Sequence, residues 1–341
     1  MFTLPKNYKQ SVSWPYATGR IRSLETGLMG NEGQERLFMV SDEEAMSHIM
    51  TEYGYNSCDI ELALDAEKER LYNLLEDIAP DRSYLELILS FTDGQNLKTL
   101  LKEKLAAEQP RSFAGMSYLM LQPSLIEPSR LYSALQEDDF HDLPEWISEL
   151  ADKAEAAYAV GYDAARIDLA IDRGLHERAK QLVKQFANAW FDEWLALKRD
   201  LTNLETLFRT RLRNLGLKLF EDSLLPEGKL SHDWLKTARG LTATEIVKML
   251  DKGFYRDLAG FAKTYGEPGT SSDYSRAGDD ILMRHIYKGG RSLNGPEVTL
   301  AYVFGREMEM KNIRIALSAL RNRLPAERVA LLRRNSYPAW R

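Results

Sequence analysis

The sequence predicts an all-α protein made of three related helical modules. The first observation is a short pattern, Ile followed four residues later by Leu or Ile and then by Asp, which occurs three times and ends at Asp65, Asp172 and Asp251. The second is a block that trails each copy and sets an acidic residue three positions before an Asn: Asp93 and Asn96, Asp200 and Asn203, Glu309 and Asn312. The third is the weakness of strand signals, since alternating β-branched runs bounded by turn dipeptides are missing. Internal repetition of this kind indicates structural units that stack on one another.

The spacing between the two blocks sets the module boundaries. Asn96 lies 31 residues after Asp65, and Asn203 lies 31 residues after Asp172, so the first two copies share one register. In the third copy the interval is 61 residues, which leaves about 30 additional residues to place. They fall near 264–296, where Gly, Pro and Ser accumulate. We therefore expect modules at 1–108, 109–216 and 217–341, the last carrying this loop insertion.

Each module is predicted to consist of amphipathic helices. Apolar residues around the second block recur at steps of three and four, as they do on one face of a helix. Pro, which breaks helices most severely, is absent from 16–79 and from 145–225. The predicted helices lie near 17–29, 42–53, 58–78, 82–106, 145–160, 163–173, 175–213, 243–263, 276–288, 297–321 and 325–335. The segment 175–213 would be about 58 Å long as one unbroken helix, with Asp200 as the candidate kink, and a capping box is predicted to begin at Ser41.

The composition is that of an ordinary globular protein. Hydrophobic residues make up 44% and charged residues 28% of the 341 positions, which is typical of soluble domains. No run approaches the roughly 18 consecutive apolar residues of a membrane-spanning helix, and the N-terminus lacks the apolar core of a secretory signal. The single Cys58 excludes an internal disulfide and is predicted to be a buried structural thiol. We therefore expect a cytosolic chain without a membrane anchor of its own.

Charge is distributed unevenly along the chain. The net charge of −6 disfavours nucleic acid as a partner, because nucleic-acid-binding proteins usually present a basic face. Segment 42–77 carries eleven acidic and two basic residues, whereas segment 305–341 carries nine basic and three acidic residues. This asymmetry is consistent with opposite faces prepared for different partners, or with solvated helix surfaces that differ without functional meaning.

Motifs for catalysis or cofactor binding are missing from the sequence. There is no Gly-x-x-x-x-Gly-Lys-Ser/Thr loop to cradle phosphates, and Gly289-Gly290 lacks its spacing and is typical of a turn. The five His residues show neither the i, i+4 pairing of a helical zinc site nor the Glu-x-x-His spacing of a di-iron bundle. We therefore predict no catalytic residue, no metal site and no cofactor.

The repeated acidic and Asn residues allow two interpretations. At positions i and i+3 they share one helix face, so the three equivalent pairs could line a common central surface. Alternatively, each Asn hydrogen-bonds a neighbouring helix terminus and fixes the packing of the modules, because buried polar groups need partners. The sequence favours the second interpretation without excluding the first.

The repeated blocks, with Tyr16-Ala-Thr-Gly-Arg-Ile-Arg near the start, resemble a known family. They are similar to the C subunit of the archaeal and bacterial V/A-type ATPases (ATP synthases), a family that includes the d subunit of the vacuolar ATPase. The most specific part is the segment from Gly305 to Arg314 followed by Leu324-Pro-Ala-Glu. The similarity covers nearly the whole chain. The copies are not uniform, because Arg166 stands where the other two carry Asp59 and Glu245.

The resemblance implies a funnel or socket of three pseudo-equivalent domains without an active site. Such a protein sits at the cytoplasmic face of a membrane, seated on the proteolipid ring and receiving a central shaft made of the D and F subunits. The stator membrane subunit is a further candidate partner, whereas nucleic acid and small-molecule substrates are not expected. Candidate interface residues are Arg314, Arg321 and Arg323, on the basic C-terminal segment.

Two other function classes remain open from the residues alone. One is a helical-repeat scaffold that binds protein partners, although a repeat of 107 residues, the interval from Asp65 to Asp172, is far longer than the usual 20–45. The other is a helical-bundle metalloenzyme with an unrecognised carboxylate site. The sequence leaves open whether the transported ion is a proton or sodium, and whether the complex runs as a synthase or as a pump.

Overall fold

The computed structural model describes residues 12–57 and 59–337, so Cys58 and the N-terminal segment considered as a signal lie outside the described residues. Every regular element in the described residues is a helix, which confirms the all-α class. The first nine helices are α1 Trp14–Leu24, α2 Gly30–Phe38, α3 Glu43–Glu52, α4 Ile60–Ile78, α5 Ser83–Ala106, α6 Phe113–Met116, α7 Pro128–Glu137, α8 Glu145–Ala159 and α9 Ala164–Phe186. The remaining helices are α10 Ala189–Leu212, α11 Leu217–Asp222, α12 His232–Gly240, α13 Ala243–Leu250, α14 Phe261–Thr264, α15 Thr270–Gly290, α16 Pro296–Arg321 and α17 Ala326–Leu332.

The described chain divides into two compact units. The first contains 81–188 and 223–226, and the second contains 12–80, 189–222 and 227–337. Compactness and sequence repetition are different criteria, and the three predicted modules with boundaries at 108 and 216 stay a prediction. Within the described residues, no helix combines the length and the apolar character that crossing a lipid bilayer requires.

In the first unit, α9 packs against both α5 and α8, and α7 packs against α5. The core between them is aliphatic and almost fully closed to solvent, with Leu97, Leu131, Ile147 and Ile171 all at 0% exposure. Close approach of α5 and α9 depends on Gly94, because a Cβ there would lie 2.1 Å from Leu175 Cδ1.

In the second unit, the long helix α16 packs against α1, α2, α3, α4, α15 and α17. A helix with neighbours on several sides needs apolar residues around most of its circumference, and Leu300, Ile313 and Leu317 are buried on it. α10 packs against α15, and Trp194 of α10 stacks on Phe304 of α16 with ring centroids 5.2 Å apart.

Several predicted helix boundaries are wrong. The segment 175–213 is not one helix, because Ala187 takes a left-handed conformation with φ 49° and ends α9; α10 then runs through Asp200. Predicted helix 243–263 stops at Leu250, and the separate short helix α14 begins only at Phe261. Helix α15 extends predicted helix 276–288 at both ends. α2, α7 and α12 were not predicted.

Helix starts follow local capping chemistry. Asp42, rather than Ser41, caps α3, since its carboxylate accepts the Ala45 N–H at 2.8 Å. A full capping box occurs instead at Thr242 and Glu245 on α13. Side chains at N-cap positions accept backbone N–H groups that have no partner inside the helix.

Candidate functional site

The second repeated block lies on the three longest helices, α5, α10 and α16, and its side chains are buried. The acidic members are 0–2% exposed and the Asn members 0–1% exposed: Asp93, Asp200, Glu309, Asn96, Asn203 and Asn312. A buried carboxylate or amide without a partner costs roughly 1–3 kcal/mol. The partners of these groups therefore define what the block does.

In the first copy the block fastens a downstream loop onto α5. The Asp93 carboxylate accepts the backbone N–H groups of Leu125 and Ile126 at 3.2 and 3.1 Å. The Asn96 amide donates to the carbonyl oxygen of Leu121 at 3.0 Å and accepts the N–H of the same residue at 2.8 Å. Burial raises the pKa of Asp93 to about 7, although the two backbone N–H groups oppose the rise.

In the second copy Asp200 performs the same task on α10. Its carboxylate accepts the N–H groups of Lys229 and Leu230 at 2.7 and 3.2 Å, and also the Tyr255 hydroxyl. Gly228 makes this approach feasible, because a Cβ there would lie 2.3 Å from the Asp200 carboxylate oxygen and 2.4 Å from the Ala196 carbonyl oxygen. Burial raises the pKa of Asp200.

In the third copy Asn312 repeats the contacts of Asn96. Its amide accepts the N–H of Arg334 at 2.9 Å and donates to the carbonyl oxygen of the same residue at 3.0 Å. Glu309 differs from the two Asp residues, because it accepts the N–H of the upstream residue Met29 at 2.7 Å and the Tyr55 hydroxyl at 2.9 Å. The block therefore acts as a clamp that holds main-chain segments on the long helices.

These contacts fit the packing interpretation of the repeated block. The clamped segments are loops and helix entries: Ile126 lies two residues before α7, and Leu230 lies two residues before α12. The acidic and amide groups bind backbone that each unit itself supplies. A role for the nine repeated residues in lining a socket stays a prediction.

The first block lies elsewhere and is more exposed. Asp65 lies on α4, Asp172 on α9, and Asp251 directly after α13. Asp172 accepts the Lys98 ammonium at 2.5 Å, and Asp65 accepts the Arg314 guanidinium at 3.3 Å. The first block therefore makes exposed ion pairs on α4 and α9, whereas the second block is buried.

These two pairs reveal a third member of the repeat, which was not recognised from the sequence. Lys98 and Arg314 each stand two residues after the repeated Asn, and each binds the Asp that ends the first block of a different copy of the repeat. In the middle copy this position is Glu205, which accepts the Tyr265 hydroxyl at 2.9 Å. Among the ion pairs of the described residues, none involves Asp251. A basic residue at this position in two of the three copies was the sequence signal that could have predicted these ion pairs.

The residue before the first block also differs among the copies because the helices begin differently. Asp59 is the N-cap of α4, and Glu245 completes the capping box of α13. Arg166 lies inside α9, since Asp163 caps that helix three residues earlier. Arg166, in place of the acidic residue of the other two copies, therefore does not remove the N-cap of α9.

Residues of the acidic segment 42–77 and of the basic C-terminal segment pair with each other in the second unit, which contradicts opposite faces, the first of the two interpretations of the charge asymmetry. Arg321 binds Glu43 at 2.8 Å and Glu61 at 3.5 Å. Together with the pair of Arg314 and Asp65, these contacts neutralise part of each segment. The pairs are exposed, so each contributes little to stability.

The third candidate interface residue, Arg323, lies just beyond the end of α16 with φ 51°. It lines a groove of about 720 Å³ between α2, α16 and α17 whose floor includes Leu37 and Leu320. Whether Arg314, Arg321 and Arg323 contact another protein of a complex stays a prediction.

A buried ionic cluster was also missed from the sequence. Arg306 on α16 is 2% exposed; its Nε donates to Glu67 at 2.7 Å, and its Nη1 donates to Glu309. The guanidinium lies 4.4 Å from the centre of the Tyr55 ring. Burial raises the pKa of Glu309, and the charge of Arg306 opposes that rise. Removing one member would leave a buried charge unpaired, which costs about 3–5 kcal/mol.

Within the described residues, no group of three or more His, Cys, Asp or Glu side chains is arranged to hold a metal ion. The family described as ATP synthase (C/AC39) subunit matches residues 17–330. The C subunit of the A-type ATP synthase of Thermococcus kodakarensis is 24% identical over 94% of this chain and 91% of its own length. The C subunit of the V-type sodium ATPase of Enterococcus hirae is 20% identical over 93% of this chain and 97% of its own. The corresponding A-type ATP synthase protein of Pyrococcus abyssi is 22% identical over 93% and 89%.

Proposed function

We propose, on the premise that this chain belongs to the ATP synthase (C/AC39) subunit family, that it is the non-catalytic central-stalk subunit of a V/A-type rotary ATPase. The observation that carries the proposal is the family match, which extends over residues 17–330 and therefore over nearly the whole chain. The relatives include a subunit of an ATP synthase and a subunit of a sodium ATPase. We therefore assign the choice between ATP synthesis and ATP-driven pumping, and the choice of transported ion, to other chains of the complex.

In this role the chain couples a shaft of the D and F subunits to the proteolipid ring at the cytoplasmic face of the membrane. A coupling part must transmit torque without yielding, and close-packed interiors have low compressibility. The clamps by Asp93, Asn96 and Asn312 support this requirement, because they fix connecting segments to long helices. The buried cluster around Arg306 adds a second rigid tie within α16 and its neighbours.

Ion pairs between copies of the repeat support the proposal in the same way. Lys98 binds Asp172 within the first unit, and Arg314 binds Asp65 within the second unit. The corresponding position in the middle copy is Glu205.

Co-purification of the tagged chain from its native membranes tests the proposal. The chain should recover D, F and the ring proteolipid in fixed stoichiometry from detergent-solubilised membranes. After the membranes are washed with low-salt EDTA buffer, the released chain should carry D and F without the proteolipid. Recovery of the chain alone, or with unrelated peptides, would contradict a rotor role and favour a helical-repeat scaffold. Stoichiometric metal in the purified chain would instead favour a metalloenzyme.

A further inference from the structure

We propose that the groove between α2, α16 and α17 docks an amphipathic helix of another polypeptide, and that Arg323 binds a carboxylate on that helix. The groove encloses about 720 Å³, and its lining is mostly apolar, with Leu37, Leu320 and Val329 among its residues. Met39 also lines the groove and is 82% exposed, so the groove is open to solvent. The inference does not depend on the rotor role, because it names the chemistry of a partner and not its identity.

Arg323 supplies the only uncompensated charge among the residues that line this groove. The other two charged residues in the lining are Glu35 and Arg333. Arg333 Nη1 lies 3.1 Å from Glu35 Oε1, so these two charges compensate each other. Within the part of the chain that the structure describes, no ion pair or side-chain hydrogen bond engages Arg323. An apolar groove with one unpaired guanidinium is complementary to an apolar face that carries one carboxylate.

The backbone at Arg323 is held in a conformation that favours glycine. Its φ is 51°, and the N–H groups of Arg323 and Leu324 donate to the carbonyl oxygens of Leu320 and Ala319, each at 3.0 Å. This is the Schellman pattern of helix ends, in which the left-handed position is usually Gly. An Arg at that position is strained, because its Cβ crowds the following carbonyl oxygen. Such strain at a surface groove is consistent with a side chain that is retained for a contact outside this chain.

The dimensions of the groove favour a helix as its occupant. Along α16 and the turn that follows, the lining extends from Ala316 to Arg323, which is about 10 Å at 1.5 Å per residue. That length corresponds to two helical turns, over which an amphipathic helix presents apolar residues at i, i+3 or i+4, and i+7. An extended peptide would need an exposed strand edge, and every regular element in the described residues is a helix.

Photo-cross-linking in native membranes identifies the occupant. The full-length chain carries p-benzoylphenylalanine in place of Met39, since this lining side chain is mostly in solvent, and the cross-linked peptide is mapped by mass spectrometry. We expect a segment of another polypeptide whose apolar residues recur at steps of three and four and flank an Asp or Glu. The same photoreactive residue in place of Val160, which is 71% exposed in the first unit, is the control and should not capture this segment.

Variants of Arg323 then separate a binding role from a structural one. The mapped segment is made as a peptide, and its Kd is measured with the purified full-length chain. Arg323→Gly should raise the urea midpoint, because Gly adopts the left-handed conformation without strain, and should nevertheless raise the Kd about tenfold, because a charged hydrogen bond is lost. Arg323→Glu should also weaken binding, and a peptide with Lys in place of its carboxylate should restore it. Arg328→Glu is the control, since it reverses a charge on α17 outside the groove lining and should leave the Kd unchanged.

The opposite results overturn the inference in distinct ways. The absence of a cross-link from position 39, or a cross-link only to lipid or to this chain itself, would mean that the groove does not dock a partner helix. A captured segment without a carboxylate, or a wild-type Kd for Arg323→Gly, would remove Arg323 from recognition. An equal rise in Kd for Arg328→Glu would show that only the overall charge matters. Co-purification of D, F and the ring tests the proposed function separately from all of these outcomes.

Discussion

Replacing Asp93 by Asn should remove a pH dependence from the folding stability of this protein. Burial raises the pKa of Asp93 to about 7 in the folded state, compared with about 3.9 in an unfolded chain. The folded state therefore binds the proton more tightly, so this carboxyl contributes most at low pH, and that contribution is lost as the pH rises toward 7. Between pH 5 and pH 8 the loss works out at about 2.5 kcal/mol.

Urea denaturation followed by circular dichroism at pH 5 and at pH 8 measures this difference. The wild type should lose about 2.5 kcal/mol more than Asp93→Asn over that interval, whatever the absolute stability of the variant. Asp251→Asn is the matched control, since it makes the same chemical change at an exposed carboxyl directly after α13. Parallel pH profiles for the wild type and Asp93→Asn would refute the reasoning, because they would mean that Asp93 titrates alike in both states.

Three further changes have defined outcomes. Gly228→Ala should lower the free energy of unfolding by about 1–3 kcal/mol, because the new methyl group would overlap a carboxylate and a carbonyl oxygen; Gly216→Ala, which meets nothing within 4 Å, is the control, and equal midpoints in urea would contradict the clash. Asn96→Ala should loosen the connector that follows α5, so limited proteolysis should cut within 107–127 faster than in the wild type; an unchanged cleavage rate would show that the amide is not needed to hold it. Arg321→Ala should shift the urea midpoint only slightly, and the shift should shrink in 1 M salt, since its pair with acidic partners is exposed; a salt-independent loss would contradict an electrostatic origin.

The long helices were predictable from the sequence, and their ends were not. α5 and α16 are long segments with no Pro after their first residue, and each has many apolar residues that are buried in the fold. The break between α9 and α10 depends on Ala187, an excellent helix former that takes a left-handed conformation in the folded chain. Tertiary packing decides such a position, and propensity points the other way. α2 was missed because Gly30 and Gly33 weaken its helical pattern.

The repeated block was predictable as a pattern, but its partners were not. Asp93, Asp200 and Asn312 bind main-chain atoms of loops about 20–35 residues away. Because every residue has a backbone, the sequence of a loop does not indicate which of its main-chain atoms a distant side chain will bind. The charge asymmetry led to the wrong geometry because composition does not say which faces meet. Arg321 and Glu43 are 278 residues apart in the chain and form a pair in the fold.

A clamp that recognises only main-chain atoms leaves the side chains of the clamped segment unspecified. Asn96 would hold Leu121 equally well if that position carried any residue with a backbone N–H and a side chain directed away from the clamp. The outward-facing residues of each clamped segment can therefore be substituted during evolution while the helix that holds the segment keeps its sequence. Among relatives that share only 20–24% of their residues with this chain, such a division would let each organism's protein adapt its contact surface to its own partner without redesigning the body behind it.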